Sequence, residues 1–406
     1  MTTIVRGFTA RLYPNKGEAA RFNQWAGATR FLWNKLLAME MAEHEATGKF
    51  LWKKGLQPVA VGMKREPGLE WLADLPAHAV LDTVARLDGA LRRMVKERKL
   101  GRQCGFPKFK KKFVREAGVY CVGQATTLSA RTVRLPKMGE VRMRGGRLPE
   151  GRLLAARVWR DTDRWMLSAQ LECARPAPLP PSDVIVGIDL GLSTLVTAFD
   201  GEAFEEFKAT RHLRKSLRRL RRAQRALARR RKGSHRRRAQ ARVVAVIHRK
   251  VRERRKDSLH QISHRLTAKA GVVRIEDLCV KGMAQGRNLG LSVADAGMGR
   301  LATFIGYKAD WRGRIVEKVS RWFPSSQGCS CCGCIDARMR DMGRRTFDCP
   351  ECGHREGRDR NAARNIQRYR QEGGNRASDG PTDAEIGDQG CGLVPVDEAS
   401  TFAVAA

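Results

Sequence analysis

Apolar residues in this chain fall into short strand-like runs and long helical ones. Val184-Ile185-Val186-Gly187-Ile188-Asp189 is a short, largely β-branched run that ends in a carboxylate. A turn, Gly191-Leu192-Ser193-Thr194, leads into a second apolar run, Leu195 to Phe199. Runs this short, bounded by turn residues, predict buried strands. Val272 to Leu278 repeats the pattern and delivers Glu276, and Arg358 to Ile366 predicts a helix with Asp359 near its start.

Upstream, Ile4 to Tyr13 predicts a strand stopped by Pro14-Asn15. Gly17 to about Thr47 has helical spacing, with Phe22, Trp25, Leu32, Trp33, Leu36 and Leu37 on one broad face. Pro76 to Lys99 predicts a second helix through Val80, Val84, Leu87, Leu91 and Val95. Thr126 to Glu172 breaks into short alternating runs, the pattern of a small barrel or sandwich. Arg175-Pro176-Ala177-Pro178-Leu179-Pro180-Pro181 is a stiff linker and marks a domain boundary. Beyond it, Leu213, Leu217, Leu220 and Leu227, then Val243, Ile247 and Val251, predict a helical hairpin broken at Lys232-Gly233-Ser234. Thr303 to Trp311 predicts a helix and Gly313 to Val319 a strand.

Charge changes this picture. The 406 residues hold 79 Lys+Arg and 42 Asp+Glu, a net charge of +37. Such a chain repels itself unless it meets a polyanion, and nucleic acid is the partner that fits. No apolar run approaches the 20 or so residues of a membrane span, and the N-terminus does not read as a signal peptide, so an intracellular protein is expected. Between Lys208 and Lys256 there are 23 Lys+Arg and one acid, Glu253. That hairpin reads as a nucleic-acid surface, with Arg218, Arg222, Arg225 and Arg229 as candidate contacts. Phe106 to Phe113 interleaves aromatics with lysines. Lys108 and Lys110 there suit phosphate contact beside stacked bases, or a solvated basic edge.

Two sites carry candidate chemistry. A lone Asp at a buried strand end either caps a turn or holds a cation. Three acids, Asp189, Glu276 and Asp359, brought from two strands and a helix, favour the cation: two Mg²⁺ ions take oxygen ligands and clamp a phosphodiester. The second site is Cys329-x-x-Cys332, sixteen residues, then Cys349-x-x-Cys352. This spacing predicts one structural Zn²⁺ held by four thiolates. Cys331 and Cys334 are rival ligands, and His354 follows Cys352 too closely to be favoured. The element order, with acids on the first strand, the fourth strand and the last helix, is that of an α/β RNase H-like fold.

These residues resemble the TnpB family of transposon-encoded, RNA-guided DNA nucleases, relatives of the miniature type V CRISPR effectors. Gly187-Ile188-Asp189-Leu190-Gly191, Ile275-Glu276-Asp277-Leu278 with Lys281-Gly282-Met283, and Asp359-x-Asn361-Ala362-Ala363-x-Asn365-Ile366 are similar to its three RuvC motifs. Pro324-Ser325-Ser326-Gln327 before Cys329 is similar to the entry into its zinc ribbon, and Arg11-Leu12-Tyr13-Pro14, Phe106-Pro107-x-Phe109-Lys110 and Leu135-Pro136-Lys137-Met138-Gly139 extend the likeness. One departure is Gly357, where the family often has an acid, with Glu356 just before it.

The resemblance implies a RuvC nuclease domain with an inserted zinc ribbon, and an N-terminal β-barrel with an inserted helical bundle. Its expected divisions are 1–14 for the first barrel strand, 15–100 for the bundle, 101–175 for the rest of the barrel and 176–182 for the linker. The nuclease then spans 183–323, including the arginine-rich hairpin at 208–269, followed by the ribbon at 324–354 and the final helix at 355–370. The acidic stretch 371–406 is expected to be disordered. Guide RNA and double-stranded target DNA are the implied partners, with cleavage beside a short motif in the prokaryotic cytoplasm and nucleoid. A compact CRISPR effector with the same chemistry and a nuclease-dead guided repressor are the alternatives.

Overall fold

The computed structural model describes residues 3–111, 119–286 and 289–370. The expected disordered tail and Lys112-Phe113 of the lysine–aromatic stretch lie outside these residues. The chain divides into two compact units, Met1–Arg175 and Pro176–Ala406.

The first unit opens with strand β1 (Thr3–Leu12) and continues through helices α1 (Lys16–Thr47), α2 (Trp52–Gly62) and α3 (Ala77–Lys99). Six strands follow: β2 (Val119–Val122), β3 (Thr127–Leu128), β4 (Thr132–Leu135), β5 (Gly139–Gly145), β6 (Arg152–Asp161) and β7 (Arg164–Ala174). They form one antiparallel sheet in the order β2-β6-β7-β1-β5-β4-β3. Alternation sets the faces: Phe8, Ala10 and Leu12 of β1 and Leu167, Ala169 and Leu171 of β7 are buried. The helices pack on that apolar side, where Phe22 meets Trp165 with ring centroids 5.0 Å apart.

Local signals explain α1. Asn15 Oδ1 accepts from the Glu18 N–H at 2.9 Å while the Glu18 carboxylate accepts from the Asn15 N–H at 2.9 Å, a reciprocal cap. Gly48, at φ +70°, ends the helix in the left-handed conformation. Helix α2 has no such signal, since Leu51 offers no capping side chain and Pro58 lies inside. Its start is satisfied from other helices instead. The buried Glu40 carboxylate accepts from the N–H groups of Leu51 and Trp52 at 2.9 and 3.0 Å, and Asp88 accepts from that of Lys53 at 2.9 Å. Burial raises the Glu40 pKa, against those donors.

The second unit starts with β8 (Ile185–Asp189), β9 (Thr194–Phe199) and β10 (Phe204–Lys208). Helices α4 (His212–Ala228) and α5 (His235–Lys269) form the basic hairpin, and β11 (Val272–Glu276) returns to the sheet. Then come α6 (Val280–Gln285), α7 (Gly290–Ala296), α8 (Met298–Trp311), β12 (Ile315–Val319), the short pair β13 (Thr346–Asp348) and β14 (Arg355–Gly357), and α9 (Arg358–Arg368). The main sheet has the order β10-β9-β8-β11-β12. Strands β8, β9 and β10 are antiparallel, while β11 runs parallel to both β8 and β12.

The two sheet faces do different things. Val186, Ile188, Val273 and Ile275 share one apolar core with Leu259, Ile262 and Leu266 of α5 and Leu301 and Ile305 of α8. The alternate positions, Gly187 and Arg274, face α9. The hairpin has a small core of its own, built from Leu213, Leu220, Ala223, Ile247 and Val251. Helix α4 lacks a capping side chain at Arg211, and the Asp295 carboxylate from α7 accepts from the N–H groups of Leu213 and Arg214 at 2.8 and 3.1 Å instead.

Candidate active site and cysteine module

Asp189 and Glu276 are the last residues of two adjacent parallel strands. Ile188 pairs with Ile275, so the next residue on each strand carries its carboxylate to the same edge. Asp359 reaches that edge from the first turn of α9. Burial is the main reason the Asp189 pKa stands well above its ordinary value, and the charges of Glu276 and Asp359 add to it. Burial also raises Glu276, opposed by a hydrogen bond that its carboxylate accepts from the Ser325 hydroxyl. Three acids gathered in a half-buried corner, two of them adding to the cost of charging Asp189, make a site for positive charge. The Arg358 guanidinium relieves Asp189 in part. It is fixed by donating to the Asp341 carbonyl at 2.9 Å and the Ser326 hydroxyl at 3.2 Å.

Close backbone contact delivers Asp359. At Gly187 an added Cβ would lie 2.3 Å from the Gln367 nitrogen and 2.4 Å from the Ala363 oxygen, so glycine lets α9 lie directly on β8. Arg274 holds the far end of α9, donating to the Gln367 carbonyl and the Glu317 carboxylate, both at 2.6 Å. Sequence reading selected the three acids but missed these supports. It also missed the role of Asn361 and Asn365, whose spacing of four puts them on one side of α9. Asn361 donates to the Gly328 carbonyl at 2.7 Å and accepts from the Ser330 N–H at 2.9 Å. Asn365 donates to the carbonyls of Ser325 and Gly328, both at 2.7 Å. Glu356, beside the departure at Gly357, accepts from Arg364.

The segment these asparagines grip leads into the cysteine module. Sulfurs of Cys329, Cys332, Cys349 and Cys352 all lie within 4.8 Å of one another. Cys329 and Cys352 are 3.6 Å apart, Cys332 and Cys349 3.5 Å. Four thiolates about 2.3 Å from a tetrahedral zinc stand about 3.8 Å apart, so the set fits that ion. Gly333 and Gly353 follow each pair at φ +81° and +70°, where the chain turns back. Backbone N–H groups, that of Cys352 first, bring the Cys349 thiol down to about 6. The rivals stand outside the group: Cys331 is exposed, and burial pushes the Cys334 thiol up to about 11. His354 Nε2 lies 3.3 Å from the Ser330 hydroxyl and 3.6 Å from Glu356.

The candidate nucleic-acid contacts differ among themselves. Arg218, Arg222, Arg225 and Arg229 are all exposed on α4 or just after it, and Lys108 is exposed in the first unit. Lys110 turns inward, its ammonium 3.5 Å from the Trp33 ring centroid. Burial first, and then the charge of Arg86, bring it down to about 7. Asn34 explains the turn, since its amide exchanges hydrogen bonds with the Lys110 backbone at 2.7 and 3.0 Å. No described helix is long and apolar enough to cross a membrane.

Known proteins share both the sequence and the fold. Residues 168–287 match a family described as "Probable transposase", and residues 299–366 one described as "Cas12f1-like, TNB domain". Residues 1–49 match a family described as "Helix-turn-helix domain", although residues 3–47 here form one strand and one long helix. Among solved structures, a Cas12f1 in complex with guide RNA and target DNA shares the fold at a TM-score of 0.57 and 14% identity, over 90% of this chain and 99% of that one. An Escherichia coli K12 protein named "Putative RNA-guided DNA endonuclease InsQ" is 29% identical over 89% of this chain and 91% of its own. A Streptomyces pristinaespiralis protein named "Putative RNA-guided DNA endonuclease" is 30% identical over 90% of this chain and 89% of its own. On likeness of that extent, with the transposase match across the first two acids and the Cas12f1-like match across the cysteine module and the third, the chain belongs to the TnpB family.

Proposed function

We propose that this protein is a transposon-encoded, RNA-guided DNA endonuclease that cuts target DNA beside a short motif in a single RNase H-like (RuvC) site. The observation that carries the reading is the half-buried corner that gathers Asp189, Glu276 and Asp359, where the other two acids add to the cost of charging Asp189. Such a corner suits a divalent cation pair, and two Mg²⁺ ions bound there would supply the Lewis acidity that activates water and steadies the leaving oxygen. Asp189 and Glu276 offer ligand oxygens from a rigid strand edge, and Asp359 adds a third from α9. Ser325 orients the Glu276 carboxylate, and Arg358 lowers the penalty of ionised Asp189.

In this reading residues 324–354 are a zinc ribbon with one structural Zn²⁺, and the unit before residue 176 holds guide RNA and reads the motif beside the target. The exposed arginines of the hairpin grip phosphates without reading bases, so sequence choice comes from the paired guide. The relatives' names and the Cas12f1 fold likeness support this assignment. The protein then works in the prokaryotic cytoplasm, against chromosomal or element DNA.

The experiment is a cleavage assay with two guides and two targets, with and without RNA. Each guide should direct cutting to its own target in Mg²⁺, and Asp189→Ala, Glu276→Ala or Asp359→Ala should abolish cutting while guided binding persists. Cutting by RNA-free protein at one fixed sequence, or normal cutting by Glu276→Ala, refutes the reading. Metal analysis should find about one zinc per chain, lost in Cys349→Ser.

A further inference from the structure

Trp322 is 81% exposed, more than any other large apolar side chain among the described residues. A single exposed apolar residue is ordinary on a protein surface. Three observations separate this one from that background.

Its neighbours are pinned. The Arg321 guanidinium donates to Asp277 at 2.6 Å, and Lys318 joins the same carboxylate at 3.1 Å. The Phe323 ring packs edge-on against Tyr369, centroids 5.0 Å apart. The Trp322 N–H itself donates to the Ser320 hydroxyl at 3.3 Å. The backbone is therefore fixed on both sides of an indole that has no ring contact or hydrogen bond among the described residues.

Its segment is also tied to the acid corner at both ends. Asp277, which holds Arg321, directly follows Glu276. Ser325, whose hydroxyl donates to Glu276, lies three residues beyond Trp322, a chain reach of about 10 Å at most.

The charge around it suits a polyanion. Lys318 and Arg321 place two cations beside it, both reaching the Asp277 carboxylate. A rigid aromatic surface flanked by cations is the combination that binds single-stranded nucleic acid, because every base has a face to stack and a phosphate to neutralise.

We propose that Trp322 is a stacking platform for a base of the DNA strand that lies in the acid corner, near the phosphate to be cut. It positions that strand and takes no part in the bond-breaking step. The inference rests on the endonuclease reading above and adds the residue that holds the substrate strand at the site.

The test uses guide-loaded full-length protein and target DNA carrying single 2-aminopurine substitutions across the cut region. Ca²⁺ in place of Mg²⁺ holds the DNA uncut for fluorescence. In the wild type and in Trp322→Phe one position should be quenched by stacking, and in Trp322→Ala that quench should vanish. In Mg²⁺ the single-turnover cutting rate of Trp322→Ala should fall about 5- to 150-fold, with guided binding unchanged and Phe restoring most of the rate. Wild-type rate in Trp322→Ala overturns the proposal. So does a slow Trp322→Ala variant whose quench pattern is intact, or a wild type that cuts without any quenched position. The fluorescence arm needs no cleavage, so a quenched wild type that never cuts refutes the nuclease reading and leaves the stacking contact standing.

Discussion

Gly187 lies against the backbone of Gln367, so close that a methyl group on its α-carbon would sit 2.3 Å from the Gln367 nitrogen. The contact joins the strand bearing Asp189 to the helix bearing Asp359. Backbone cannot move aside as a flexible side chain does, so Gly187→Ala must lift α9 from the sheet. The expected loss is about 3 kcal/mol, the upper end for overpacking. For a unit of this size that is a fall of roughly 6–12 °C in melting temperature. Calorimetry reads the fall, and cleavage should be lost along with it. Wild-type melting and cutting in the alanine variant would show that α9 docks elsewhere.

Asp189 gives the pH dependence. Its folded pKa is raised, chiefly by burial and then by Glu276 and Asp359, so the folded state binds its proton more tightly than the unfolded chain does. For a carboxylate shifted this way, stability in the absence of divalent metal falls as pH climbs from the ordinary Asp range through the raised folded value. Asp189→Asn removes that charge. The variant should melt higher than the wild type at pH 8 in Mg²⁺-free buffer with the cysteine module's zinc retained, and the gap should narrow toward pH 4 as the wild type takes up its proton. Adding Mg²⁺ should stabilise the wild type and leave the variant unmoved. A variant less stable than the wild type at pH 8 without Mg²⁺ would contradict the like-charge account.

Asn361 tests the strap between α9 and the cysteine module. It is fully buried, and its amide serves the Gly328 carbonyl and the Ser330 N–H together. Asn361→Ala leaves the buried Ser330 N–H without its acceptor, while the Gly328 carbonyl keeps the Asn365 amide, at a cost of about 1–3 kcal/mol. Cutting should drop while bound zinc stays at one equivalent. Hydrogen exchange should quicken at Ser325 to Ser330, and exchange no faster than in the wild type would show that the strap is dispensable.

The hairpin arginines should behave as charges and little else. Arg218, Arg222, Arg225 and Arg229 are exposed and lie outside the seam of Leu213, Leu220, Ala223, Ile247 and Val251. Changing all four to Gln should leave melting within about 0.5 kcal/mol of wild type. Nucleic-acid binding should weaken for every sequence alike, and its log–log salt slope should flatten by roughly one unit for each phosphate no longer neutralised. A change in which sequence is cut would mean that these side chains read bases.

How much of this was legible depends on the range of the interactions. The strands around Asp189 and Glu276 follow from local runs of β-branched residues, and α1 from its own cap at Asn15. The cysteine spacing likewise picked the four thiols that the fold gathers. Helix α2 was missed because its caps, Glu40 and Asp88, sit on other helices, which no local pattern reports. Lys110 was read from its place among alternating aromatics and lysines. Its pairing with Asn34, 76 residues away, turns the side chain onto Trp33. Ser325 and the two asparagines were visible as motif letters, but their purpose needs the folded contact between α9 and the segment before Cys329.

The cysteine module sits in the chain between β12 and α9, just ahead of the third acid. A ribosome delivers Asp189 and Glu276 well before Asp359, and α9 packs both on the sheet and on the loop carrying Ser325, Gly328 and Ser330. A chain still being made therefore holds two acids and no complete site. The third acid thus joins the other two only after the whole cysteine module has been made.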